Sequence, residues 1–237
     1  MKLNKIILSF ISALAILLSS SATSFAKVVG DKIVLGSAIS LTGKYSSNGV
    51  HTQNGYNMAV DRINSMGGVK VGGKTYKFEI IYYDDESNPK RAAQLAERLI
   101  SQDGVEYMLG PYSSGLTKAI APVTEKYGVP MVEANGASRS LFTKGYKYLF
   151  AVLAPANLYL DVAIDLAVEK NGGKPVSVAM AFEQDAFSQD VRLGVLEAIE
   201  RTGSKKVNKL IDPTKHTHIP NIPRGTQRDE QGHAPSP

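Results

Sequence analysis

The chain has 237 residues, a formal net charge of +5, 43% hydrophobic residues and no cysteine or tryptophan. The lack of cysteine excludes disulfides, zinc–cysteine sites, a thiol nucleophile and a lipid anchor carried on an N-terminal cysteine. The basic residues are scattered rather than gathered into one face with stacking aromatics, so no nucleic-acid partner is expected.

Met1 to Ala26 has the anatomy of a secretory signal peptide. Lys2 and Lys5 precede an apolar core from Ile6 to Leu18, and a small, polar stretch ends in Ser24-Phe25-Ala26. That core is too short for a permanent bilayer span. Cleavage after Ala26 removes two lysines and no acid, so the net charge falls from +5 to +3. About 210 residues then remain, enough for one large domain or two small ones.

Lys32 to Ile39 reads as a buried strand, followed by a polar loop from Ser40 to Gly49. A helix is predicted from about Val50 to Met66, with Ala59, Ile63 and Met66 at helical spacing and Gly67-Gly68 as its stop. Val71 to Lys74 looks like a tight reversal into a strand from Tyr76 to Tyr83. Asp84, Asp85 and Glu86 read as a solvated loop rather than an acid/base pair, leading to a helix capped by Asn88 and opened by Pro89. Ala92, Leu95, Leu99 and Ile100 supply the buried stripe of that helix.

The alternation continues with strand Val105 to Leu109, helix Ser114 to Tyr127, strand Pro130 to Ala134, a short helix near Ser138 to Thr143 and strand Tyr148 to Leu153. Helix Ala156 to Lys170, strand Val176 to Phe182 and helix Phe187 to Arg201 complete it. Strand–helix alternation of this kind predicts an α/β fold with parallel sheets covered by helices on both faces. From Ser204 to Pro237 the pattern stops: this stretch holds five of the eleven prolines and three of the four histidines. It is too polar to offset its ordering entropy and is expected to be a disordered or out-of-frame tail, in which His216 and His218 lack a third metal ligand.

The run from Leu109 to Thr117 carries the most chemistry. A short apolar strand turns through Gly110 and Pro111 into a helix that opens with Ser113 and Ser114. Backbone N–H groups and hydroxyls at a helix N-terminus favour a negative group, and strand C-terminal ends are where open α/β sheets bind ligands. Tyr112 stands beside it, as a stacking partner for a ligand or as plain packing. No Gly-rich phosphate loop and no Ser/His/Asp set emerges, so no enzyme, cofactor or metal is expected.

The order and spacing of several runs resemble the type I periplasmic solute-binding proteins of the branched-chain amino acid (leucine/isoleucine/valine) ABC-uptake branch. They are Gly36-Ser-Ala-Ile-Ser-Leu-Thr-Gly43, Asn54-Gly55 with Ala59-Val60 and Ile63-Asn64 to Gly67-Gly68, Tyr83-Asp-Asp-Glu-Ser-Asn-Pro89, Leu109 to Thr117, Tyr127-Gly-Val-Pro130, Gly136-Ala-Ser138 and Phe182-Glu-Gln-Asp-Ala-Phe187. The resemblance implies two Rossmann-like lobes: a first lobe over 27–153 and the start of a second, incomplete one over 154–203. It implies a ligand (an amino acid or related amide) between the lobes, with Ser114, next to Ser113 at the helix start, meeting its carboxylate, the Gly136 carbonyl at its ammonium, and Ser138, beside Ala137, touching both groups. Asn48 stands where some relatives place a tyrosine, and Phe187 where the second lobe presents an aromatic ring. It also implies a periplasmic location, an ABC permease in the inner membrane as partner, and an acidic ligand contact from a part absent here. A truncated fragment without function, a sensor of the same fold and an α/β hydrolase are the competing readings.

Overall fold

The computed structural model describes residues 28–206, so the expected signal peptide and nearly all of the expected tail lie outside the described residues. The described chain divides into two compact units. The first runs to Ala156 and takes in Asp185–Asp190; the second holds Asn157–Gln184 and continues from Val191.

The first unit is built on one mostly parallel sheet. Its strands are β1 (Val28–Val29), β2 (Lys32–Ile39), β3 (Val69–Val71), β4 (Lys74–Asp84), β5 (Met108–Leu109), β6 (Met131–Glu133) and β7 (Leu149–Ala151). Their order is β3-β4-β2-β5-β6-β7, with β1 antiparallel to β2. The β3–β4 hairpin turns at Gly72-Gly73, where φ is 55° and 81°, a region that glycine enters without strain. β2 is the buried centre, paired in parallel with β4 from Lys32↔Lys77 to Ile39↔Asp84 and with β5 at Gly36↔Met108. This register brings the C-terminal ends of β2, β4, β5 and β6 to one edge.

Three helices alternate with these strands: α1 (Ser46–Ser65), α2 (Pro89–Ser101) and α3 (Ser114–Tyr127). The expected Asn88 cap forms, accepting from the N–H groups of Lys90 and Arg91, and Gly128 closes α3 at φ 66°. Ala92, Leu95, Ala96 and Leu99 of α2 pack with Leu116, Ile120 and Ala121 of α3, and with Val34, Ala38, Met108, Met131 and Leu149 of the sheet. Each fully buried leucine, isoleucine, valine or methionine among them contributes about 1.5–3 kcal/mol.

Helix α1 departs from its expected apolar stripe, since Ala59 and Met66 are exposed. Polar bonds attach it instead. Asn64 exchanges two 2.8 Å hydrogen bonds with the backbone of Phe78, and the Tyr56 hydroxyl donates to the Gly110 carbonyl at 2.9 Å. The strand predicted over 105–109 is confined to Met108–Leu109, although Val105 is buried.

In the second unit a 3₁₀ turn (Ala156–Leu158, its first residue still in unit one) precedes α4 (Asp161–Lys170), where one continuous helix was expected. Only Ser177–Val178 of the predicted strand over 176–182 forms β8, and α5 spans Ala186–Arg201, with its residues to Asp190 counted in the first unit. Ile164, Val195, Ala198 and Ile199 make a small core with Val178 and Met180. Lys205–Lys206, placed by sequence in the tail, form β9 in parallel with β8, so the ordered pattern runs at least to Lys206.

Candidate functional site

The strand ends of the first unit carry four loops, and acidic side chains organise them. Asp84, the last residue of β4, accepts from the N–H groups of Leu41 (2.9 Å), Thr42 (3.2 Å) and Glu86 (2.9 Å) and from the Thr42 hydroxyl (2.7 Å). Burial alone would raise its carboxyl, but these bonds outweigh it and hold it below the usual carboxylate range. Asp85 is fully buried, where a solvated loop was expected; it accepts from the Ser40 hydroxyl at 2.6 Å and the Ser87 N–H at 2.8 Å. Desolvation pushes its carboxyl up despite those bonds. Ser87 in turn donates to the Thr42 carbonyl and accepts from Tyr45 N–H. Only Glu86 meets the expectation of a solvated acid, pairing with Arg91 at 2.9 Å. The Asp-Asp-Glu-Ser run is therefore the clasp of the loop that leads to Asn48.

After β5 the chain turns into α3 through Ser113, the N-cap, which accepts from Leu116 N–H at 3.3 Å. Its φ of 87° lies where L-residues are rarely found, a strain of about 1–3 kcal/mol. Ser114 follows as the first helical residue, 1% exposed, and its Oγ accepts the Ser138 N–H at 3.1 Å. This bond ties the helix start to the loop after β6. Ser138 is fully buried, with its Oγ 2.6 Å from Asp190 Oδ2 and 2.7 Å from Ser140 Oγ. Gly136 and Ala137 are buried between them, and the Ala137 carbonyl accepts from Ala156 N–H.

Beneath this loop lies Glu133, the last residue of β6, which is fully buried. Oε1 accepts from the N–H groups of Asn135 and Gly136, both at 2.6 Å, and Oε2 meets the Thr117 hydroxyl at 2.6 Å. Loss of hydration outweighs those bonds and pushes its carboxyl up to about 7. The carboxyl group fills the space beside Gly110 and Gly136, since a Cβ at Gly110 would overlap Glu133 and one at Gly136 would overlap the Thr117 hydroxyl. Here glycine is required by close approach.

The structure thus brings Ser113, Ser114, Gly136, Ala137 and Ser138 together. Tyr112 stands beside them, edge-on to Tyr45 with ring centroids 5.6 Å apart. Asn48 is exposed on the first turn of α1, its carbonyl accepting from Thr52, and Phe187 enters half-buried on the first turn of α5. Sequence reasoning missed Asp190 and Glu133. Glu133 left one signal, a carboxylate at the end of an otherwise apolar three-residue strand; Asp190 left none, its partner lying 52 residues away. Among the described residues no cluster of three or more His, Cys, Asp or Glu could hold a metal, and no helix is long and apolar enough to cross a membrane.

The sequence profile of a family described as periplasmic binding protein matches residues 32–219. The leucine-, isoleucine-, valine-, threonine- and alanine-binding protein of Pseudomonas aeruginosa is 26% identical over 216 residues, covering 86% of this chain and 56% of that protein. The branched-chain amino acid transporter substrate-binding protein LivJ from Streptococcus pneumoniae, solved with isoleucine, superposes with a TM-score of 0.62 at 25% identity, over 75% of this chain and 48% of that one. A solute-binding protein of an ABC transporter from Rhodopseudomonas palustris, solved with 4-hydroxybenzoate, gives 0.62 at 27% identity, over 76% and 47%. The chain spans about half the length of the curated relatives it matches.

Proposed function

We propose, from the premise that the chain belongs to the periplasmic binding protein family, that it is the substrate-binding component of an ABC importer for an amino acid of the branched-chain type or a related amide. The observation that carries this reading is the Ser138 N–H bond to Ser114 Oγ, which joins two chemically complementary halves. On one side is a helix N-terminus, whose N–H groups and dipole favour a carboxylate. On the other is a loop of carbonyls and hydroxyls, which can accept from an ammonium group. An α-amino acid presents both groups a short distance apart, and the site needs neither metal nor cofactor to hold it.

In this reading Ser114, with the Ser113 helix start, meets the carboxylate, the Gly136 carbonyl meets the ammonium, Ser138 touches both, and Ala137 shapes the turn between them. Asn48, Tyr112 and Phe187 form the rim that selects the side chain. The Met1–Ala26 signal peptide delivers the protein to the periplasm, where it hands the ligand to a permease in the inner membrane. The residues 27–153 form its first lobe and 154–203 begin the second.

The contrasting ligand class is an aromatic acid, as in the Rhodopseudomonas palustris structure solved with 4-hydroxybenzoate. Calorimetry on the purified chain with isoleucine and with 4-hydroxybenzoate separates the two. Saturable binding of isoleucine, weakened about tenfold by Ser114→Ala, is the expected result, since a hydrogen bond to a charged group contributes about 1.5–3 kcal/mol. Binding of 4-hydroxybenzoate alone would transfer the site to aromatic acids, and binding of neither would sink the proposal.

A further inference from the structure

We infer that Glu133 is a positioning residue for this site, its carboxyl group holding the Asn135–Gly136 turn and the first turn of α3 in one arrangement through Thr117. The inference rests on the ligand reading above for what the arrangement serves, but not for its existence. Thr117 Oγ1 lies 2.6 Å from Glu133 Oε2 and 2.9 Å from the carbonyl oxygen of Ser113, yet a hydroxyl has one proton to give. When Glu133 is ionised, the Thr117 proton serves either the carboxylate or Ser113. When Glu133 carries a proton, Oε2 donates to Thr117 Oγ1 and Thr117 donates to Ser113, so that both contacts become hydrogen bonds. Throughout, Oε1 keeps the N–H groups of Asn135 and Gly136.

The loop after β6 and the start of α3 therefore share one group. Ser113 is the strained N-cap, and Gly136 is the residue whose carbonyl, in the reading proposed above, is offered to the ligand ammonium. Gly110 and Gly136 leave the volume that the carboxyl group and its Thr117 partner occupy, so the backbone at both strand ends is shaped around it. The other titratable group facing it is Tyr56 of α1, which donates to the Gly110 carbonyl; burial, and then the charge of Glu133, raise its phenol far above neutrality. Tyr56 thus stays protonated while Glu133 titrates. Asp190 sits on the far side of the same loop, at Ser138 and Ser140. Burial favours the protonated form of Glu133, in keeping with the fuller bond set of that state.

Glutamine supplies the protonated bond set without a charge: its oxygen accepts from Asn135 and Gly136, and its amide donates to Thr117. Alanine supplies none of it. The test is performed on the 237-residue chain as wild type, Glu133→Gln and Glu133→Ala. Amide chemical shifts are followed between about pH 5 and pH 9, and isoleucine is titrated by calorimetry. The amides of Thr117, Asn135 and Gly136 in the wild type should titrate together with one midpoint, and in Glu133→Gln they should not titrate at all. Isoleucine binding should weaken about tenfold or more in Glu133→Ala and return to within about threefold of wild type in Glu133→Gln.

Amides that do not titrate in the wild type, or that titrate with unrelated midpoints, would overturn the inference. So would a Glu133→Gln variant that binds as poorly as Glu133→Ala. If Glu133→Ala does not fold, the wild-type and Glu133→Gln titrations decide alone. If isoleucine binds to no variant while the three amides titrate as one, the ligand reading fails and the positioning role stands.

Discussion

Replacing Glu133 by glutamine should make the fold more stable at alkaline pH and leave it nearly unchanged at acid pH. The carboxyl group is fully buried, and desolvation raises it from 4.5 to about 7 against the pull of the Thr117, Asn135 and Gly136 bonds. A group whose folded-state value is raised contributes its stability below the unfolded value and loses it as pH rises through the folded value. Between about pH 4.5 and pH 7 the native state holds a proton that the unfolded chain has released. Above about pH 7 the native state carries a buried carboxylate whose cost, at 1.36 kcal/mol per unit, is about 3 kcal/mol. The neutral amide of the Glu133→Gln variant would carry no such cost at any pH. Urea unfolding of both proteins at about pH 5 and pH 8.5 measures the gap at each. The change in that gap, about 2.5 kcal/mol in favour of the variant at the higher pH because part of the loss is already present at pH 5, is the quantity that matters, since any fixed cost of the new amide cancels. A gap that does not move with pH would refute the reasoning, and would mean that water or a counter-charge reaches the carboxyl group.

The clasp at the end of β4 should behave in the opposite sense. Asp84→Ala removes four hydrogen bonds, three of them to the first loop, and should cost about 2–4 kcal/mol in urea unfolding, whereas Asp84→Asn, which keeps an acceptor and gains a donor for Thr42, should cost less than half as much. Because bonds hold the Asp84 carboxyl below its usual range, its contribution is present above the ordinary carboxylate value and lost as pH falls through the depressed one, so wild type and Asp84→Ala should converge in acid. Gly110→Ala should destabilise by about 1–3 kcal/mol through overlap with Glu133, and most of that penalty should vanish in a Glu133→Ala background. A double-mutant cycle with a coupling below about 0.5 kcal/mol would show that the backbone, not the carboxyl group, sets the conflict.

What could be read from the chain was local. The apolar run of β2, the Asn88-Pro89 start of α2 and the stripe of Ala92, Leu95 and Leu99 each follow from spacing and capping within one element. The turn from β5 into α3 was legible for the same reason. The acids were not, because their partners are distant: Asp85 meets Ser40 across 45 residues and Ser138 meets Asp190 across 52. An acid whose donors lie elsewhere in the chain looks solvated in sequence, and only the fold reveals it as buried. Helix α1 misled in the reverse way, since its apolar spacing suggested a packed face while Asn64 and Tyr56 hold it by polar contacts.

The placement of those acids at the ends of β4 and β6 divides labour within the loops. The floor, made of Asp84, Asp85 and Glu133 with the backbone groups they hold, tolerates little change, because each carboxylate serves several donors at once. Two neighbouring residues are different: Asn48 is exposed, and Tyr112 lies against another aromatic ring rather than within that network. Substitutions at Asn48 and Tyr112 can therefore accumulate without unravelling the loops that the acids hold.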